Sequence, residues 1–105
     1  MKFIIDNNGY PKVIEYQEQE QIIVDFLEGD IQRSLRSVNE YITLARDFLN
    51  NKIDYWEGTS NAHTVILNNN EIEIINEFTE DTIVLKDIDK FIKVLEQLKQ
   101  ILERL

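Results

Sequence analysis

The sequence predicts an α+β domain, an antiparallel sheet of five or six strands with two amphipathic helices in the order β-β-β-α-β-β-β-α. Three observations predict it. Short β-rich runs bounded by turn residues recur ahead of each of two longer segments. Those longer segments repeat apolar residues at spacings of three and four, and both apolar helix faces need a partner surface, which an antiparallel sheet supplies. At 105 residues, positions 1–105 are read as one domain, burying roughly 65% of the surface its unfolded chain exposes. A hydrophobic share of 43% against 30% charged is that of an ordered domain rather than a disordered acidic tail. With three glycines and one proline, few long loops are expected.

Residues 2–6, with Phe3, Ile4 and Ile5, form the first expected strand, followed by a hairpin loop at Asp6, Asn7, Asn8 and Gly9 that needs positive φ near its end. Pro11 permits the start of a strand or an edge position, and residues 12–16 make the second strand. Residues 17–21, QEQEQ, read as a turn. Residues 22–27, IIVDFL, are ambiguous between strand and helix because a short apolar run does not declare its period; the β-branched residues and the stop at Glu28, Gly29 and Asp30 favour a third strand.

From Asp30 the period becomes helical. Ile31, Leu35, Val38, Ile42, Ala45 and Leu49 define one apolar stripe, with Asp30 as the expected cap and Asn50 and Asn51 closing the helix. Residues 53–56 begin a strand, 58–61 break it, and 63–67 form a strand that turns at Asn68, Asn69 and Asn70. The return strand, 71–78, places Ile72 and Ile74 opposite Glu71 and Glu73, with a bulge or strand end at 75–78. Residues 82–85 add a short last strand. The closing helix carries Ile88, Phe91, Ile92, Leu95, Leu98, Ile101, Leu102 and Leu105 on one face, with Asp87 and Asp89 in its first turn.

The net charge of −9 is unevenly placed. Residues 13–32 contain Glu15, Glu18, Glu20, Asp25, Glu28 and Asp30 and no base; residues 53–85 contain Asp54, Glu57, Glu71, Glu73, Glu77, Glu80 and Asp81 and again no base. The two tracts carry −13 and the rest +4. Phosphate would be repelled by such a surface, which argues against nucleic acid as a ligand, whereas a basic protein would be steered toward it. The competing reading is that the acidity only keeps a small protein soluble.

Catalytic chemistry finds little support. Cysteine is absent, which removes disulfides, thiolate catalysis and cysteine-ligated metal. His63 is the sole histidine, and a lone histidine on a strand is more often packed or exposed than catalytic, since a base needs a positioned partner. Ser60 lies three positions from it, a spacing that matches no nucleophile arrangement; Ser34 and Ser37 fall on the helix. No glycine loop cradles phosphate. Carboxylate pairs such as Glu71 with Glu73, or Glu15 with Asp25, leave acid/base or metal work open, but none has the ligand spacing of a calcium loop. No enzyme activity, cofactor or metal is expected. The apolar run 3–5 is too short for a signal peptide and nothing later approaches a membrane span, so a cytoplasmic location is expected.

Gly9, Tyr10, Pro11, Lys12 and Val13, then residues 22–27 leading into Asp30 and Ile31, then Trp56 followed by Thr64 and Val65, Glu71, Ile72 and Asn76, and finally residues 88–94 together resemble the layout of the small acidic YacL-like proteins of proteobacteria. The resemblance spans most of the chain, which is shorter between Asn76 and Ile88, and brings no catalytic signature. Size, charge and the Trp56-x-Gly58 hairpin are also similar to immunity proteins of bacterial toxin systems, including contact-dependent growth inhibition. Those proteins cover the active site of a cognate toxin domain, often a basic nuclease, so this resemblance implies that the acidic strands mimic phosphate. The expectation is therefore a toxin-neutralising immunity protein, the runner-up being a small regulatory or adaptor protein with a basic cellular partner. The expected contact residues are Glu15, Glu18, Glu20, Asp25, Glu28, Glu71, Glu73 and Glu77, with Tyr55 and Trp56 as apolar anchors; for Trp56 a core role ranks first.

Overall fold

Helical segments dominate one side of the molecule and a four-stranded meander the other. The structure, a computed structural model, describes residues 1–105. In chain order it contains β1 (Lys2–Ile5), β2 (Pro11–Glu15), α1 (Gln21–Phe26), α2 (Leu35–Leu49), β3 (Trp56–Thr59), β4 (His63–Asn68), β5 (Glu71–Asn76), β6 (Thr82–Leu85) and α3 (Ile88–Glu103). A 3-10 turn, Glu18–Glu20, leads into α1, and a π-helical turn, Leu27–Ile31, follows it.

This corrects the predicted architecture. There are three α-helices, and the strands form two separate sheets, the β1-β2 hairpin and the antiparallel meander β3-β4-β5-β6, instead of one sheet of five or six strands. The expected third strand, residues 22–27, is helical. Its helix is prepared by a reciprocal turn in which Glu20 N–H donates to Gln17 O and Glu20 Oε1 accepts from Gln17 N–H, both near 2.9 Å or below. Ile23, Val24, Phe26 and Leu27 are then buried on one broad helical face, whereas strand alternation would have put Asp25 on the same face as Ile23 and Leu27. Burial of side chains this size stabilises by about 1.5–3 kcal/mol each, so packing decides the ambiguous run.

The π turn also moves the start of the next helix. Gln32 N–H donates to Leu27 O at 2.8 Å, and Gln32 itself has φ 56, which ends that helical stretch. The cap of α2 is consequently Ser34, whose Oγ accepts from Ser37 N–H at 3.1 Å, and not Asp30. Val38, Ile42, Ala45 and Phe48 form the buried stripe of α2, while Leu35 and Leu49, expected in it, are exposed. In α3 the buried face is Ile88, Phe91, Ile92, Leu95, Leu98 and Leu102, capped by Asp87. α2 and α3 pack together, and Arg46 meets Glu96 at 3.0 Å across them.

The β4–β5 turn uses Asn69 and Asn70 at φ 51 and 61, the two-residue geometry that matches strand twist. Across the meander, Trp56 faces Leu67, Leu67 faces Ile72, and Ile72 faces Leu85; Val65, Ile74 and Ile83 form the neighbouring row. These rows point into the core with the helices. Gly58 falls on this side by alternation, and the Trp56 indole lies so close over it that a Cβ there would clash with the ring. In the hairpin β1–β2, the Asp6 carboxylate accepts from Asn8 and Tyr10 N–H at 2.8 and 2.9 Å; the Tyr10 bond chiefly holds its pKa below the ordinary value.

Candidate functional site

Strand alternation gives the meander two faces of different chemistry. One is the core face. The other carries Glu57 and Thr59 from β3, Thr64, Ile66 and Asn68 from β4, Glu71, Glu73 and Ile75 from β5, and Thr82 and Val84 from β6. The register lines up Glu57, Ile66, Glu73 and Val84 in one row across all four strands, and Thr59, Thr64, Ile75 and Thr82 in the next. Ile66 and Ile75 are half-buried and Val84 is 46% exposed. An apolar stripe therefore crosses the face between acids.

Hydroxyl groups hold two of those acids in place. Glu77, just past β5, accepts from Thr64 Oγ1, and Thr64 lies 2.7 Å from Thr59 Oγ1. Tyr55 OH donates to Glu57 Oε1 at 3.0 Å, and that bond is the main reason the Tyr55 phenol titrates above its ordinary value. None of Glu57, Glu71, Glu73 and Glu77 takes part in an ion pair. No lysine or arginine lies on any strand of the meander. Phe78, beside Glu77, is 80% exposed.

The expected contact residues separate into groups. Glu71, Glu73 and Glu77 share the open face, with Tyr55, 54% exposed, at its start. Trp56 turns to the core side, half-buried, with its ring edge-on to Tyr41 at 5.8 Å. Glu18 and Asp25 border a cleft of about 330 Å³ together with Asp81 and Thr82, which adjoins the meander at its β5–β6 end. Glu20 is tied to the Gln17 amide, Glu15 ends β2 opposite Lys2, and Glu28 is committed to structure: Oε2 accepts from Val13 N–H at 2.9 Å and Oε1 lies 3.7 Å from Lys12 Nζ. The two acidic tracts are thus not two halves of one sheet. The first is largely helical because its apolar residues pack at helical spacing.

Glu57, Ile66, Ile75 and Val84 were not among the expected contact residues. Alternation within 64–68 and 82–85 was the signal that could have found the apolar members, because it sets Ile66 and Val84 on the side of Glu73.

His63 and Asp30 meet in the interior. His63 is 2% exposed and the Asp30 side chain is fully buried, with Nδ1 and Oδ1 at 2.9 Å. Asp30 also accepts from Ser60 Oγ, from Ala62 N–H at 3.2 Å and from His63 N–H at 3.0 Å. His63 Nε2 has no partner and the ring lies edge-on to Phe26. The Ser60 hydroxyl and the His63 ring both bond to Asp30 rather than to each other, so the three side chains do not make a nucleophile–base pair. They fasten the π turn to the start of β4. No three His, Cys, Asp or Glu side chains gather in a metal-holding arrangement, and no helix is long and apolar enough to cross a membrane. Searched against protein-family models, curated proteins and solved structures, the chain matches none of them.

Proposed function

We propose that the protein works by binding a basic protein partner on the open face of the meander, and that it is an immunity protein neutralising a toxin domain, a basic nuclease being the fitting target. One observation carries the reading: four carboxylates, Glu57, Glu71, Glu73 and Glu77, flank the apolar stripe of Ile66, Ile75 and Val84 on a sheet without a single cation. An apolar centre with a charged surround is how protein interfaces are built, and opposite charge accelerates encounter with a basic partner. The resemblance to toxin immunity proteins supplies the target class. Inhibition of that kind would take place in the cytoplasm.

The test co-expresses the protein with the product of the gene beside its own and follows both growth and complex formation. The parent protects and binds; the triple variant Glu71→Lys/Glu73→Lys/Glu77→Lys does neither, with association falling by about tenfold or more and losing its salt dependence. Tight binding by the triple variant defeats the open-face reading. A basic partner that is not toxic would replace immunity by a regulatory or adaptor role while leaving the face intact.

A further inference from the structure

The free edge of β6 is a second surface with different chemistry. Asn76 N–H donates to Asp81 O at 2.9 Å, which makes positions 76 and 81 a hydrogen-bonded pair on the register of β5 and β6. Antiparallel pairing alternates bonded and non-bonded pairs. Ile83 and Leu85 therefore bond to Ile74 and Ile72, while Thr82 and Val84 turn their N–H and C=O groups outward. β6 is the last strand of its sheet, so no other strand receives them.

Beside that edge runs a groove of about 660 Å³ between β6, the beginning of α1 and the first turns of α3. Ile23, Ile83, Leu85, Phe91 and Val94 supply its apolar lining. Lys86 and Lys90 line it as well, and neither forms an ion pair. The two acids in the lining are already engaged by backbone: Glu20 by Gln17 N–H at 2.8 Å and Asp87 by Lys90 N–H at 3.0 Å. What remains available is a row of main-chain donors and acceptors, an apolar trough and two free cations.

We propose that the groove takes an extended segment of a partner polypeptide as a fifth strand on β6, with apolar side chains at alternate positions and an acidic side chain set against Lys86 and Lys90. Main-chain bonds to Thr82 and Val84 provide affinity, and the trough and lysines provide selectivity. A second copy of this chain is the poorer occupant, because pairing β6 with β6 would join two cation-free acidic faces into one sheet. The inference is independent of the open-face reading: that face selects a basic surface, the groove an acidic strand.

A random dodecapeptide phage library panned on the full chain supplies the probe, and the selected peptides are then added to isotope-labelled protein. The selected sequences should alternate apolar residues and carry Asp or Glu. Binding should slow amide exchange at Thr82 and Val84 by about tenfold or more, while Ile83 and Leu85, already in the ladder, change little. Lys86→Glu/Lys90→Glu should weaken binding by about tenfold or more, and Val84→Pro, a substitution an edge strand accommodates where the N–H faces outward, should remove it. The Glu71→Lys/Glu73→Lys/Glu77→Lys variant should bind the peptides as the parent does, which separates the groove from the open face. Selection of no peptide, basic consensus sequences, protection elsewhere than Thr82 and Val84, or protection of those amides in a peptide-free dimer each overturns the proposal.

Discussion

Two stretches without a lysine or arginine, residues 13–32 and 53–85, carry similar acidic charge, yet three carboxylates of the first hold backbone amides and none of the second does. In the first, Asp30 gathers the amides of Ala62 and His63, Glu28 the amide of Val13, and Glu20 the amide of Gln17, while Asp25 takes the Gln21 side chain. In the second, Glu57 and Glu77 bond only to hydroxyl groups, of Tyr55 and Thr64, and Glu71 and Glu73 make no hydrogen bond or ion pair through their side chains. The difference follows from the backbone that carries each acid. On helical turns a carboxylate swings toward free amides; on a strand it stands off the sheet beside its cross-strand neighbours. Equal charge therefore has unequal consequences, and substitution should expose them.

Asp30→Ala should produce the largest effect. It strands the Ala62 and His63 amides, the Ser60 hydroxyl and His63 Nδ1 in or near the interior, a loss of about 3–5 kcal/mol. Since small domains are stable by only about 5–15 kcal/mol, urea denaturation should show a strongly weakened or unfolded protein. A loss below about 1 kcal/mol would place Asp30 with the solvent-facing acids and dissolve the contrast.

Glu28→Ala should follow, at about 1–2 kcal/mol, because one half-buried amide loses its acceptor. The damage should be local: Val13 N–H exchanges faster and the β1–β2 hairpin loosens while the α2–α3 amides keep their protection. In the second tract the Glu71→Lys/Glu73→Lys/Glu77→Lys variant should stay within about 1 kcal/mol of the parent by the same denaturation measurement. A triple variant that unfolds would mean that these acids, too, are structural.

Some of this contrast was legible from the residues and some was not. α2 and α3 declare themselves because four-residue and three-residue spacings persist over 15 and 16 residues. The β4–β5 hairpin does so through its asparagine turn and the alternation of Glu71, Ile72, Glu73 and Ile74. Residues 22–27 are too few to show a period, and what makes them helical is burial of their apolar face, with Phe26 set against Tyr41 and His63, both distant in sequence. Asp30 and His63 lie 33 positions apart, and nothing local announces that a surface-seeking acid and a lone histidine will meet. The open face was half visible: Glu71, Glu73 and Glu77 were, whereas the apolar stripe needed the register of four strands.

The smallest expected effect separates the two tracts by titration. Tyr41 and Tyr55 both ionise above the ordinary tyrosine value of 10.0, but for different reasons. Tyr41 is raised first by burial, with Asp30 and Glu40 adding like charge; Tyr55, on the surface, is raised first by its hydrogen bond to Glu57. Glu57→Gln should therefore bring the Tyr55 phenol back toward 10.0 in an alkaline absorbance titration and leave Tyr41 where it is. Tyr41 is the half-buried one of the two: because its folded pKa is raised, its contribution to stability is complete below pH 10.0 and is lost as pH climbs through the folded value. Tyr41→Phe should flatten that alkaline decline, and Glu57→Gln should not. If Glu57→Gln moved both tyrosines, the open face and the Asp30 cluster would be one electrostatic unit, and the division between the two tracts would fail at the point where it is easiest to measure.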